Sequence, residues 1–174
     1  MIRFATPDDA LEIQAIYAPI VAETTISFEI QPPTVDEVRR RIKTVSVSHP
    51  WLVDERDGQI VGYAYAGYHR QRPAYRWTAE TTVYVGESHR GGGVGRGLYE
   101  ALIKRLRRQG FRTAVAGIAL PNPDSIRLHE NMGFRPVGVF SNSGFKMGRW
   151  IDTSWWQLDL QELSIPPTVP APPI

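Results

Sequence analysis

The 174-residue chain contains no cysteine. That absence excludes disulfides, thiolate metal sites and a cysteinyl acyl-enzyme. No eighteen apolar residues run together, so no membrane-spanning helix is expected. Neither sign of charge dominates: 20 Lys and Arg against 18 Asp and Glu leave a formal net charge of +2. The basic stretch Lys104–Arg112 alternates its charges with leucines, so it reads as a solvated helix face and not as a nucleic-acid site. No solenoid-type repeat is present. A content of 42% hydrophobic and 22% charged residues suits a single α/β domain with a full core. Met1–Phe4 reads as a strand, with no basic segment and apolar stretch ahead of it, and a cytoplasmic protein is expected.

Glycine, by contrast, is concentrated. In Val85-Gly86-Glu87-Ser88-His89-Arg90-Gly91-Gly92-Gly93-Val94-Gly95-Arg96-Gly97-Leu98 a strand, a glycine turn and a helix start follow without a gap. Glycines admit positive φ and close backbone approach, and the unpaired N–H groups that open a helix point at an anion. The run reads as a phosphate cradle, with Arg90 and Arg96 as cationic cover. A Walker loop would end in Gly-Lys-Ser/Thr, whereas Leu98 follows the last glycine here, which argues against ATP or GTP. A dinucleotide fold would place an acid about 20 residues on, where this chain has the basic Lys104–Arg112, which argues against NAD.

The flanks supply the elements. Trp77–Val85 is expected as a buried strand, Val94–Gln109 as a helix with Leu98, Leu102 and Leu106 inward, and Thr113–Leu120 as a second strand. Asn122 caps a further helix with Pro123 at its first position, and Gly133 closes it in a left-handed turn. Upstream, Thr6-Pro7-Asp8-Asp9 opens a first helix with Leu11, Ala15 and Ala18 on one face, and Thr34-Val35-Asp36-Glu37 is a capping box for a second. Trp51–Glu55, an Asp57-Gly58 turn and Ile60–Tyr68 form a hairpin. Pro136–Phe140 and Ser154–Leu160 read as closing strands, separated by a loop that holds Lys146, Arg149 and Trp150. The proline-rich tail, residues 163–174 after a domain of residues 1–162, is expected to be extended or disordered.

Arg90-x-x-Gly93-x-Gly95 resembles the pyrophosphate loop of the GNAT superfamily of N-acetyltransferases, and the segment from Asn122 to Gly133-Phe134 resembles its second acetyl-coenzyme A half. More of the chain resembles the phosphinothricin and methionine sulfoximine acetyltransferase branch: Tyr63-Ala64-Tyr65-Ala66-Gly67, Ala74-Tyr75-x-Trp77-Thr78-x-Glu80-x-Thr82-Val83-Tyr84-Val85, Ser125-Ile126-Arg127-Leu128-His129-Glu130, and Trp150-x-Asp152-x-x-x-Trp156-Gln157. The resemblance implies a mixed, mostly antiparallel sheet splayed between its fourth and fifth strands, with helices on both faces. It implies acetyl-CoA as co-substrate and no metal. Val83, Tyr84 and Val85 would pair with the pantetheine arm, Arg90, Gly91, Gly92, Gly93, Val94, Gly95 and Arg96 would hold the pyrophosphate, and Asn122 and Ser125 would face them. Phe28, Arg70, Gln71, Arg72, Tyr75, Glu80, Thr81 and Thr82 would bind a small amino acid, and relatives in this branch tend to be homodimers.

A thioester is already activated, so the enzyme has only to position an amine, take its proton and support the departing thiolate. Strand alternation puts Glu80, Thr82 and Tyr84 on one face and Ala79, Thr81 and Val83 on the other. Glu80 is the unusual residue, because a carboxylate in mid-strand is costly to bury unless paired, and burial would raise its pKa toward that of a useful base. It reads as the base or as half of a salt bridge with Arg72 or Arg76. His129 stands where many GNAT enzymes have tyrosine, and in the branch that this chain resembles glutamate and this histidine are both assigned to catalysis. The expected reaction is acetyl transfer to the α-amine of phosphinothricin, methionine sulfoximine or a similar amino acid. The alternatives are acetylation of protein N-termini or another amine, and a non-catalytic acyl-CoA sensor.

Overall fold

The computed structural model describes residues 1–173; Ile174, the last residue of the expected tail, lies outside the described residues. The order is β1 (Ile2–Phe4), α1 (Ala10–Glu23), α2 (Val35–Val45), β2 (Trp51–Arg56), β3 (Gln59–Tyr68), β4 (Thr78–Val85), α3 (Val94–Gln109), β5 (Thr113–Ala119), α4 (Pro123–Asn131), β6 (Arg135–Lys146) and β7 (Arg149–Asp159). The strands form one seven-stranded sheet in the order β1-β2-β3-β4-β5-β7-β6. All neighbours are antiparallel except β4 and β5, which run parallel. Among the described residues no helix is long and apolar enough to cross a membrane.

The sheet buries two cores because its strands alternate. Trp51, Val53, Ile60 and Tyr63 face α1 and α2, while Leu52, Val61, Ala64, Ala66 and Ala79 face Leu98, Leu102 and Leu106 of α3. The three α3 leucines are fully buried, as their spacing predicts. The β2–β3 turn also forms as expected, with Asp57 and Gly58 both at positive φ, the geometry that fits the twist of a tight hairpin.

Three expectations need correction. The first helix buries Ala10, Ile13, Tyr17, Ile20 and Val21, whereas Leu11 is 63% exposed; Tyr17 and the isoleucines supply more apolar area than the alanines of the expected face. At α2 the Thr34 hydroxyl accepts from the Glu37 N–H as expected, but the Glu37 carboxylate bonds Arg40 and Arg41 and does not close the box. The closing strands are longer than Pro136–Phe140 and Ser154–Leu160, and no loop intervenes: β6 passes an irregularity between Phe140 and Gly144, and a tight turn at Met147-Gly148 joins it to β7. Lys146 and Arg149 are therefore paired residues at the hairpin end. The described tail residues, 163–173, contain no helix or strand and are docked on the domain: Ala171 exchanges hydrogen bonds with Gln109, and the Trp77 indole N–H donates to the Thr168 carbonyl at 2.8 Å.

His49, between α2 and β2, is 2% exposed and packs against Tyr68 and Phe111. Burial pushes its pKa from 6.5 down to about 4. Between those values the unfolded chain binds a proton that the folded chain refuses, so stability is complete above pH 6.5 and is lost as pH falls toward 4. The loss from this residue should be roughly 3 kcal/mol. Chemical denaturation from pH 7 to pH 4 should show His49→Leu losing less stability across that window than the parent; parallel curves would contradict the assignment.

Candidate active site

β4 and β5 are joined only through Thr78–Thr113, Ala79–Ala114 and Glu80–Val115. Beyond Glu80 the strands diverge, and one edge of Thr81–Val85 is left without a partner strand. Between them and α4 lies a groove of about 510 Å³, lined among others by Val83, Tyr84, Val85, Arg90, Gly91, Gly93, Val94, Gly95, Arg96, Asn122 and Ser125. Of the expected coenzyme residues only Gly92 lies off this wall, in the adjoining turn. A narrower cavity of about 80 Å³ continues toward Thr81, Thr82 and His129.

The glycine turn shapes the groove's end. Gly93 sits at φ 78°, a left-handed conformation that a side chain resists, and no side chain caps α3 after it. The first helical bond is from Gly97 N–H to the Gly93 carbonyl, so the N–H groups of Val94, Gly95 and Arg96 have no helical partner. Arg90 leans back on the Val85 carbonyl. Arg96 is shared with Glu100 at 2.8 Å. An uncapped helix start, two arginines and an open strand edge leading inward fit a pyrophosphate followed by an extended amide-bearing arm.

At the inner end the Asn122 side chain accepts from the Ser125 N–H at 3.2 Å, which fixes the start of α4. One turn on, His129 is 3% exposed. Its Nδ1 lies 2.7 Å from the Ser125 carbonyl and its Nε2 2.9 Å from the Tyr99 hydroxyl. Burial lowers its pKa, against a smaller opposing effect of the Ser125 carbonyl. The neutral ring therefore carries its proton on Nδ1 and offers a bare Nε2. Tyr99, itself held as the phenol by burial, also reaches Thr81 Oγ1 at 3.2 Å, and Thr81 donates to the Val115 carbonyl. The phenol has one proton for two acceptors: it serves Nε2 while His129 is neutral, and Thr81 once His129 is protonated.

Glu80 stands on the opposite face of β4 from Thr81, as the alternation requires, so Glu80 and His129 approach the split from two sides. The expected burial of Glu80 is not found: its side chain is 38% exposed, and its partner is neither Arg72 nor Arg76 but His69, with Nδ1 at 3.3 Å from Oε2. Arg76 instead lies over the Trp77 ring and donates to the Pro73 carbonyl. The loop after β3 carries Arg70, Gln71, Arg72 and Tyr75, with Arg70 over the Tyr75 ring at 5.8 Å. Phe28 packs on Gly144, where a Cβ would overlap its ring. The loop that bears Phe28 is held by the buried Lys146 ammonium, which donates to the Val21 and Ser27 carbonyls at 2.7 Å each. His69, Tyr99, Gly144 and the role of Lys146 were not read from the sequence. Strand pairing was the available signal for His69: Gly67 of β3 lies opposite Glu80, and His69, two residues further on, falls on the same face just past the end of β3.

A parallel pair opened to take an extended thioester arm, with a phosphate cradle at its mouth, defines a coenzyme A-dependent acyltransferase. A family model described as an acetyltransferase (GNAT) domain matches residues 2–155. Phosphinothricin N-acetyltransferase of Streptomyces viridochromogenes is 40% identical over 99% of this chain and 90% of its own. L-methionine sulfoximine/L-methionine sulfone acetyltransferase of Salmonella typhimurium is 38% identical over 95% and 97%. The solved structure of a GNAT superfamily phosphinothricin acetyltransferase from Sinorhizobium meliloti in complex with acetyl-CoA superposes with a TM-score of 0.91 at 35% identity, over 98% of this chain and 92% of that one. The chain belongs to the GNAT acetyltransferase family, and it is an acetyl-CoA-dependent N-acetyltransferase.

Replacing Gly93 by valine forces a branched side chain into left-handed backbone, at a cost of about 1–2 kcal/mol. A Cβ on Gly95 would meet Leu128 and Val85 only at 3.5 and 3.6 Å. Calorimetry should therefore show Gly93→Val weakening acetyl-CoA binding by about tenfold and Gly95→Ala weakening it less. Equal binding by parent and Gly93→Val would remove the cradle assignment.

Proposed function

We propose that this enzyme acetylates the α-amine of phosphinothricin, methionine sulfoximine or a similar small amino acid. One observation carries the reading: among the described residues neither Arg70 nor Arg72 is paired with a carboxylate, and both stand on the loop whose His69 reaches Glu80. Two guanidinium forks free to bind, near a carboxylate able to take a proton, suit an acceptor with two anionic groups and one ammonium. Phe28, Tyr75 and Gln71 would complete the acceptor side, with Thr82 beside Glu80. Thr81 acts from the other face through Tyr99. A groove rimmed by Glu12, Glu23 and Glu87 would suit a basic peptide end, but it also holds Arg90 of the pyrophosphate loop and contains neither Glu80 nor Arg70 and Arg72, so N-terminal acetylation of proteins is the weaker reading. A sensor without chemistry would have no use for the His129 network.

In the proposed reaction Glu80 takes a proton from the ammonium, the freed lone pair attacks the thioester carbonyl, and the C–S bond breaks. His129, neutral with a bare Nε2, starts as a proton acceptor: through the Tyr99 hydroxyl it takes up the second amine proton, and once protonated it is the acid that returns that proton to the thiolate. Glu80→Gln should lower kcat by roughly 10²-fold to 10⁴-fold and keep acetyl-CoA affinity. The acid limb of kcat assigned to His129 should lie below pH 6.5, the direction that burial dictates, and should disappear in His129→Asn. Full activity of Glu80→Gln at neutral pH would refute the mechanism.

Arg72→Ala should raise the acceptor KM by the worth of a charge-assisted contact, on the order of 2 kcal/mol, or about thirtyfold. Acetyl-CoA KM should stay constant. Steady-state kinetics with phosphinothricin and methionine sulfoximine decide this, and an unchanged acceptor KM would make the loop a mere surface turn.

We also propose a cytoplasmic homodimer. The edge hairpin β6–β7 exposes Val137, Val139, Phe140, Phe145, Met147 and Trp150, each more than half accessible, an apolar edge that a second copy would cover. Light scattering should give twice the chain mass for the parent and a shift toward the monomer for Trp150→Glu with Phe145→Asp. A monomeric parent at micromolar concentration would contradict this.

A further inference from the structure

The sequence offered Arg72 or Arg76 as the partner of Glu80, and the structure supplies His69 in their place. His69 is the first residue after β3, where the chain turns into the arginine loop. Its Nδ1 is 3.3 Å from Glu80 Oε2. Its ring stands edge-on to Tyr75, with centroids 5.9 Å apart, and edge-on to Trp155 at 5.6 Å. The Trp155 ring comes close to β5 because Gly117 faces it: a Cβ there would lie 3.3 Å from the indole. The imidazole is thus wedged between an aromatic residue of the acceptor loop and one of β7, and only 18% of its side chain is exposed, against 38% for Glu80.

We propose that His69 is a positioning residue that locks the base and the acceptor loop into one unit; this rests on the reading of Glu80 as the base. A mid-strand carboxylate with more than a third of its side chain in water is free to sample several rotamers, and only those directed at the split serve the amine. With its proton on Nδ1, His69 donates to Oε2 and holds that oxygen, so that Oε1 is left for the ammonium. The same ring, through Tyr75, fixes the loop on which Arg70 and Arg72 are carried. Binding of the acceptor's anionic groups and orientation of the base are then one event: the hydrogen bond acts on kcat and the aromatic wedge acts on the acceptor KM.

Two substitutions separate the two contacts. His69→Phe keeps an aromatic wedge and removes the donor; kcat should fall about tenfold, with the acceptor KM within about twofold. His69→Asn places an amide N–H near Nδ1 and removes the wedge; kcat should stay within about threefold, while the acceptor KM rises about fivefold. Calorimetry with acetyl-CoA and a thermal melt, run on each variant, confirm that the coenzyme side and the fold are intact. Parental kcat in His69→Phe, or equal loss of kcat in both variants, overturns the proposal while a crippled Glu80→Gln leaves the base assignment standing. Full activity in Glu80→Gln overturns both.

Discussion

β4 and β5 exchange backbone hydrogen bonds through three residue pairs and then part. Unpaired N–H and C=O groups inside a sheet are expensive, so a split of this kind persists only if each strand is secured on its other side and the opened edges meet polar partners. Both strands meet the first condition, β4 along β3 from Ala79 to Val85 and β5 along β7 over its whole length. The second is met partly by Thr81, whose hydroxyl reaches across to the Val115 carbonyl, and otherwise falls to an extended ligand with amide groups. In the proposed mechanism the parting of this single parallel pair is where the thioester lies, and every group of that mechanism is arranged around it.

The two sides of the split differ in physical character. On the α3 and α4 side the groups are buried, and their protons are dictated by fixed acceptors: the Ser125 carbonyl sets the His129 tautomer, and the phenol of Tyr99 answers to it. The Glu80 side is open, charged and built from loops. A buried network can hold a proton in a defined place without competition from water, whereas recognition of a charged amino acid needs arginines that remain hydrated until the ligand arrives. The coenzyme side accordingly rests on buried, locally fixed contacts, and the proposed acceptor side on a few aromatic and cationic contacts between distant segments.

That division also explains what was legible in the sequence. The coenzyme half is local in the chain: a strand, a glycine turn and a helix in sequence order, with leucines in helical period, and each of these reads directly from spacing. The β2–β3 turn and the alternation of β4 were legible for the same reason. The face of α1 was not, because Leu11, Ala15 and Ala18 form as regular a stripe as Ile13, Tyr17 and Ile20, and only the facing strands decide between them. The length of β6 was hidden by Ser141-Asn142-Ser143-Gly144, residues of poor strand propensity that long pairing with β7 carries along. The wedge of His69 against Trp155 and the seat of Phe28 on Gly144 join positions 86 and 116 residues apart, and nothing in local pattern announces them.

The Lys146 ammonium is held by two carbonyl oxygens and, among the described residues, meets no carboxylate, so the loop around Ser27 is built like the seat of a bare cation that a distant strand delivers on a tether. This has a consequence for the order in which the molecule is made. As the chain emerges from the ribosome, the residues that line the coenzyme groove have all appeared once Asn131 is out. The loop bearing Phe28 is older still, but its cation and the flat glycine beneath its ring arrive only with Gly144 and Lys146. On the proposed reading, the acceptor site begins near the start of the chain and is the last part of the enzyme to be completed.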